Sequence, residues 1–186
     1  MASFKASMLA ALPLYHLILL LLFTSSHHIS KPVFADDRLI KLQCHNAQVP
    51  AVCIQCLKSD PRGEVVSDNV GIATIVLKCL SNNAETLAKN MSSLASGVQD
   101  KNIKSLLQDC EQGFAQAKHD LSTATDQLKR KDYDKTNHSV RTALEQEVTC
   151  NKNVLSLKLR VPNHVLFEMR VYEDLSEAAM RIIDRF

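Results

Sequence analysis

Six cysteines are the residues best placed to do chemistry: Cys44, Cys53, Cys56, Cys79, Cys110 and Cys150. In an oxidising compartment an even number implies disulfides; in a reducing one it implies metal or redox chemistry. Cys53-Ile54-Gln55-Cys56 has the CxxC spacing of a redox centre or of half a zinc site. No second CxxC and no HxxxH follows, and no βαβ pattern surrounds it. The expectation is therefore two structural cysteines with different partners, with no metal and no cofactor. GxSxG, HExxH, P-loop and GxGxxG motifs are all missing. The neighbours His119-Asp120 and His138-Ser139 are pairs that arise easily by chance. An enzyme is not expected.

The compartment is written at the start of the sequence. Lys5 precedes one apolar run, Met8 to Phe23, and Val33-Phe34-Ala35 places small residues at the −3 and −1 positions of a cleavage site. This is the pattern of a secretory signal peptide over residues 1–35. Pro13 and His16 interrupt the run, which speaks against a membrane anchor. Cleavage after Ala35 would leave Asp36 to Phe186, remove His27 and His28, and keep all six cysteines in an oxidising setting. Two sequons, at Asn90 and Asn137, are candidate N-glycosylation sites.

Charge excludes one further class. The protein has 22 basic and 20 acidic side chains, and the first 35 residues hold Lys5 and Lys31 with no acid. The rest is neutral overall, whereas a nucleic-acid-binding domain normally shows a basic excess. No nucleic-acid partner is expected, and no membrane contact after signal cleavage.

These residues must be positioned by helices. With 4 Gly, 5 Pro, no Trp and 5% aromatic residues, the composition argues against a turn-rich β-sandwich. From Asp68 onward apolar residues step by three and four. One segment reads Ala73, Leu77, Leu80, Ala84, Leu87, Met91 and Leu94, with Asp68 to cap it and Ser96-Gly97 to end it. A second reads Ile103, Leu107, Cys110, Phe114, Ala117, Leu121, Ala124 and Leu128, breaking in Lys129-Arg130-Lys131-Asp132. A third reads Tyr133, Thr136, Val140, Ala143 or Leu144, and Val148. The fourth follows Pro162-Asn163 and reads Val165, Met169, Tyr172, Leu175, Ala179, Ile182 and Phe186. Each narrow stripe must be buried against others, and short connections make neighbours antiparallel. The fold class expected is all-α, an up-down-up-down four-helix bundle.

Helical rise then relates the cysteines. Cys110 and Cys150 both lie about 25–30 Å from the turn at Arg130–Tyr133, level on adjacent antiparallel helices. Cys79 and Cys110 differ by about 7–8 Å of rise from their own turn, which disfavours bridging them. Cys44 and Cys53 flank Pro50 and could form a local staple. In the loop-entropy picture the Cys110–Cys150 loop is worth roughly 4 kcal/mol and the Cys44–Cys53 loop about 2.5–3. For Cys56 and Cys79, a third bridge and two buried free thiols both stay open.

The pattern Ile40…Cys44-x8-Cys53…Leu57-Lys58-Ser59-Asp60-Pro61-Arg62 resembles the opening of the plant invertase and pectin methylesterase inhibitor family. So do Leu106…Cys110-x3-Phe114-x2-Ala117-x3-Leu121, with Phe where the family usually has Tyr, and the ending Leu175-Ser176-Glu177-Ala178-Ala179. The most specific piece is Asp132-Tyr133-Asp134…Asn137…Val140…Ala143-Leu144…Thr149-Cys150. The resemblance runs from about Leu39 to Phe186. It implies an N-terminal helical hairpin (36–66) ahead of the bundle (67–186), with bridges Cys44–Cys53 and Cys110–Cys150. Cys56 and Cys79 depart from the commonest four-cysteine pattern.

It also implies inhibition of a plant enzyme, one-to-one and usually at mildly acid pH, in the apoplast and cell wall or the vacuole. The target would be a pectin methylesterase or an acid invertase. Invertase inhibitors of the family carry a Pro-Lys-Phe tip between the second and third bundle helices. Here that stretch reads Arg130-Lys131-Asp132-Tyr133. The missing tip favours occlusion of a methylesterase cleft, with these four residues as candidate contacts. By residue type Tyr133 suits a contact; by heptad phase it suits a first-turn core anchor. His119 and His138 could share protons at an interface if exposed. A reading of another class, a secreted helical carrier of lipid or other apolar ligands, would need an internal cavity.

Overall fold

The computed structural model describes residues 37–45, 47, 49–62, 68–156 and 160–186. The expected signal peptide and its cleavage site, residues 1–35, lie outside them. Six helices follow in order: α1 Asp37–Cys44, α2 Pro50–Ser59, α3 Asn69–Ser96, α4 Lys101–Lys129, α5 Tyr133–Ser156 and α6 Asn163–Ile183. No strand occurs among the described residues.

Short polar side chains start the long helices. The Asp68 carboxylate accepts from the Gly71 N–H at 2.7 Å, satisfying a donor that the first turn of α3 leaves free. Asp100 does the same for α4, accepting from Asn102 and Ile103. The α3 helix ends at Ser96, with the Gly97 N–H turned back onto the Leu94 carbonyl. Pro162, with no N–H to lose, precedes α6.

The last four helices form a square. Each of α3 and α5 packs against both α4 and α6, so the stripes close on one another. Leu80, Leu87, Met91, Leu107, Phe114, Leu121, Leu128 and Tyr172 are fully buried. At about 1.5–3 kcal/mol for each large residue removed from water, this interior is the main stabilising term. Phe114 on α4 meets Tyr172 on α6 edge to face, with ring centroids 6.1 Å apart. The Tyr172 hydroxyl, which could not be buried unpaired, donates to the Ala143 carbonyl at 3.3 Å.

The stripe of α5 differs from the expectation. Its buried residues are Thr136, Ser139, Val140, Ala143, Glu147, Cys150 and Val154. Val148, expected in the core, is 50% exposed, and Glu147 takes the inward position. Of the alternatives Ala143 or Leu144, Ala143 is buried and Leu144 only half-buried. Phe186 is 37% exposed and lies against Tyr133 instead of inside the bundle. Leu94 and Ile103, near the α3–α4 turn, are half-buried.

Three disulfides tie these elements together. Cys110–Cys150 joins α4 to α5, and Cys44–Cys53 joins the end of α1 to α2. Cys56 and Cys79 are bonded to each other, joining α2 to α3. The two cysteines of the CxxC therefore have different partners.

The third bridge shows how the α1–α2 hairpin sits on the bundle. Helix α2 packs on α3 and α6. Just past α2, the Asp60 carboxylate is 4% exposed and accepts from Lys78 Nζ of α3 at 2.9 Å. It also accepts from the Arg62 backbone N–H, Nε and Nη2. The Arg62 hydrogen bonds and then Lys78 outweigh burial and hold this carboxyl well below the usual carboxylate range. Gln43 on α1 donates to Asn69 of α3 at 2.7 Å, and Arg185 donates to Gln43 Oε1 at 3.0 Å.

Two outcomes follow from this docking. Replacing Cys56 and Cys79 together by Ala should cost roughly 3 kcal/mol, the worth of closing a loop of this length. Urea unfolding reads the cost, and amide exchange should quicken in α1 and α2 before the bundle helices. Asp60→Asn should cost on the order of 2 kcal/mol at neutral pH, the scale of charged hydrogen bonds. Because folding depresses the Asp60 pKa, its contribution is full above the ordinary value and is lost on acidification. The gap between wild type and Asp60→Asn should therefore narrow below pH 3.8.

Candidate functional site

The turn between α4 and α5 holds Arg130, Lys131, Asp132 and Tyr133 in one compact tip. Its backbone is closed by hydrogen bonds back to the last turn of α4. The Asp132 N–H reaches the Gln127 carbonyl at 3.0 Å, and the Lys131 N–H reaches that of Leu128 at 3.0 Å. This is the Schellman closure of a helix, which puts its next residue in the left-handed region. That residue is Lys131, with φ 61°, the one non-glycine residue at positive φ among those described. The next helix starts at once: the Asp132 carbonyl accepts from both the N–H and the hydroxyl of Thr136.

Side chains at the tip divide into outward and inward groups. Arg130 and Lys131 are exposed, while Asp132 and Tyr133 are half-buried. Lys135 pairs with Asp132 at 2.6 Å and, with Arg130 nearby, lowers its carboxyl pKa. Lys129 pairs with Asp126 at 3.0 Å. The Tyr133 ring lies 4.9 Å from that of Phe186, at 61°. Tyr133 is thus the anchor of the bundle end, with part of its ring left at the surface. The arrangement offers two exposed cations beside an aromatic edge. It contains no nucleophile–base pair.

Other residues picked from the sequence lie apart from the tip. His119 is exposed on α4, 3.8 Å from Asp120 Oδ1, and His138 is exposed on α5. Both sequon asparagines lie within helices and use their amide nitrogens across the bundle. Asn90 Nδ2 donates to Glu168 at 2.9 Å, and Asn137 Nδ2 donates to Asp184. All six cysteines are in disulfides, and no group of three potential metal ligands occurs among the described residues. The interior that an apolar-ligand carrier would keep open holds the buried side chains of Phe114, Leu121, Met91 and Tyr172.

Two features have no counterpart in the sequence analysis. The left-handed Lys131 is one, because glycine is the usual signal for that conformation. The other is the α5–α6 groove, of about 330 Å³, lined by Glu147, Val148, Asn151, Lys152, Leu155 and Glu173. The step of three from the bridged Cys150 back to Glu147 was the available clue.

The family model for plant invertase/pectin methylesterase inhibitors matches residues 38–182. The chain belongs to this family. Its members are inhibitors and not enzymes, which makes the tip a candidate contact surface and not a catalytic centre. A pectinesterase inhibitor of Actinidia deliciosa is 28% identical over 134 residues, covering 72% of each protein. A cell wall / vacuolar inhibitor of fructosidase of Arabidopsis thaliana is 30% identical over 138 residues, covering 72% of this protein and 76% of the relative. Two solved structures share the fold. A mutant form of a pectin methylesterase inhibitor from Arabidopsis superposes with TM-score 0.67 at 21% identity, over 78% of this protein and 95% of that one. A pectin methylesterase inhibitor from Arabidopsis thaliana gives 0.59 at 22% identity, over 80% and 96%.

The tip of this family member stores strain that substitution can release. A left-handed lysine is disfavoured where glycine is not, although glycine also loses more entropy on folding. Lys131→Gly should stabilise the protein by a few tenths to about 1 kcal/mol. Lys131→Val, branched at the β-carbon, should destabilise it. Paired urea transitions measure both.

Proposed function

We propose that this protein is a secreted inhibitor that occludes the active-site cleft of a plant pectin methylesterase in a one-to-one complex. Residues 1–35 would act as its signal peptide, 36–66 as the docked hairpin and 67–186 as the bundle. Its place of action would be the apoplast and cell wall, with the vacuole as the alternative. Among the described residues no helix is long and apolar enough to cross a membrane.

The observation that supports this target is the tip. Only Arg130, Lys131 and Asp132 separate α4 from α5, and backbone hydrogen bonds close them tightly. Such a turn has no Pro-Lys-Phe sequence and no free loop to insert into a sucrose site. A rigid bundle end and helix flank suit the covering of an open cleft. Arg130 and Lys131 would meet acidic groups there, and the exposed part of Tyr133 would supply apolar contact.

The reading that competes is an acid invertase, favoured by the 30% identity to an inhibitor of fructosidase. Parallel inhibition assays of the oxidised protein against both enzymes, at mildly acid pH, separate the two. Loss of methylesterase activity alone is expected. Loss of invertase activity alone would overturn the proposed target. Lys131→Glu should weaken inhibition about fivefold to tenfold, the scale of one interfacial charge. Tyr133→Ala with unchanged helicity should weaken it further. Full inhibition by both variants would remove the tip from the interface.

A further inference from the structure

Glu147 lies at an inward position of α5 and is 1% exposed. Neither of its carboxylate oxygens has a hydrogen-bond partner. An ionised carboxylate in that state carries a large desolvation cost, so the group must either be neutral or reach water. The groups around it do not relieve the cost. From α6 it is faced by Glu173, a second acid, and by Tyr172, whose proton is already given to the Ala143 carbonyl. From α4, Asp120 acts on Tyr172, and its Oδ2 is also buried without a partner. Lys152 of α5 lines the same groove, and no ion pair forms between it and Glu147. The packing on the groove side is thin: Val148 and Leu155 form its apolar walls and are 50% and 66% exposed.

We propose that Glu147 makes the α5–α6 seam a proton-gated joint. The joint stays closed while acid pH keeps the carboxyl neutral, and loosens as the carboxyl ionises and turns toward water through the groove.

Burial, with Glu173 adding to it, pushes the Glu147 carboxyl up from its usual 4.5 to about 7. Below pH 4.5 folded and unfolded states both hold the proton, and nothing is lost. Between pH 4.5 and about 7 the unfolded state has released a proton that the folded one keeps, so stability falls as pH rises. Above that window the loss is complete and constant. The joint is therefore firm at the acidity of a plant cell wall and loose near neutrality. The joint is a property of the protein alone and does not depend on which enzyme it inhibits.

The test compares the oxidised wild type with Glu147→Gln, which mimics the neutral carboxyl, and with Glu147→Met, which removes the polar head at similar volume. Urea unfolding from pH 4 to pH 8 should show the wild-type folding constant dropping by roughly 100-fold or more relative to either variant. Asp174, also shifted upward by burial, is common to all three proteins and cancels in the comparison. Amide exchange, corrected for intrinsic rates, should show protection of α5 and α6 at pH 5 that is reduced at pH 8 in the wild type alone. Equal pH slopes in wild type and variants would overturn the proposal, as would unchanged protection of the seam across the range. Should Glu147→Gln not fold, the Glu147→Met comparison decides the matter by itself.

Discussion

Mutual burial of four narrow apolar stripes is the constraint from which the other features of this fold follow. A stripe three or four residues apart covers only part of a helix, and a single helix in water gains little from it. Closing four such helices into a square satisfies all the stripes at once. The edge-to-face pair of Phe114 and Tyr172 reaches across the centre, from α4 to α6. With so few aromatic residues, the remaining core is aliphatic, and its cohesion comes from close packing of Leu, Ala and Met. The disulfides add to a structure whose geometry already brings the sulfurs together. Cys110 and Cys150 meet because they are level on adjacent antiparallel helices.

Much of this was legible in the residues. Heptad stepping found all four bundle helices, and Asp68 marked the start of α3 correctly, but the stripe read for α5 stopped at Val148 while the helix continues to Ser156. The level of Cys110 and Cys150 relative to their turn anticipated the α4–α5 bridge. The error on α5 is instructive. Choosing apolar residue types led from Val140 through Ala143 or Leu144 to Val148. The packing phase led instead from Val140 through Ala143 and Glu147 to Cys150. A bonded cysteine fixes which way its helix faces, and counting back from Cys150 reaches Glu147. Residue type gives the better guess at most positions, but an ionisable residue at an inward phase defeats it. At the tip, the run Lys129-Arg130-Lys131-Asp132 marked the break after α4, yet residue type carried no sign that Lys131 would be left-handed. That conformation is imposed by the way α4 and α5 must reverse direction in three residues.

The hairpin is an integral part of the structure. It is held by a covalent link from α2 to α3, by the buried Asp60 between Arg62 and Lys78, and by Gln43 between Asn69 and Arg185. These contacts use different chemistry, so they respond to different conditions. Reduction releases one, strong acid weakens another, and mild acid leaves all of them in place. The Glu147 seam responds in the opposite direction to Asp60, losing stability as protons leave and not as they arrive. Between them these two carboxyls bracket a range of mildly acid pH in which hairpin and bundle are both firm.

The hydrogen bonds that shape the α4–α5 tip run from backbone N–H groups to backbone carbonyls. The guanidinium of Arg130 and the ammonium of Lys131 take no part in them. What the turn displays is therefore uncoupled from what makes it a turn. Exchanging Arg130 leaves the hydrogen-bonded frame intact, and Lys131 can give way to any residue that accepts its left-handed backbone, in the way that an antibody framework tolerates new binding loops. A bundle built this way is a display scaffold: its outward tip side chains can be rewritten, by selection or by design, within that backbone limit, while the rest of the molecule folds as before.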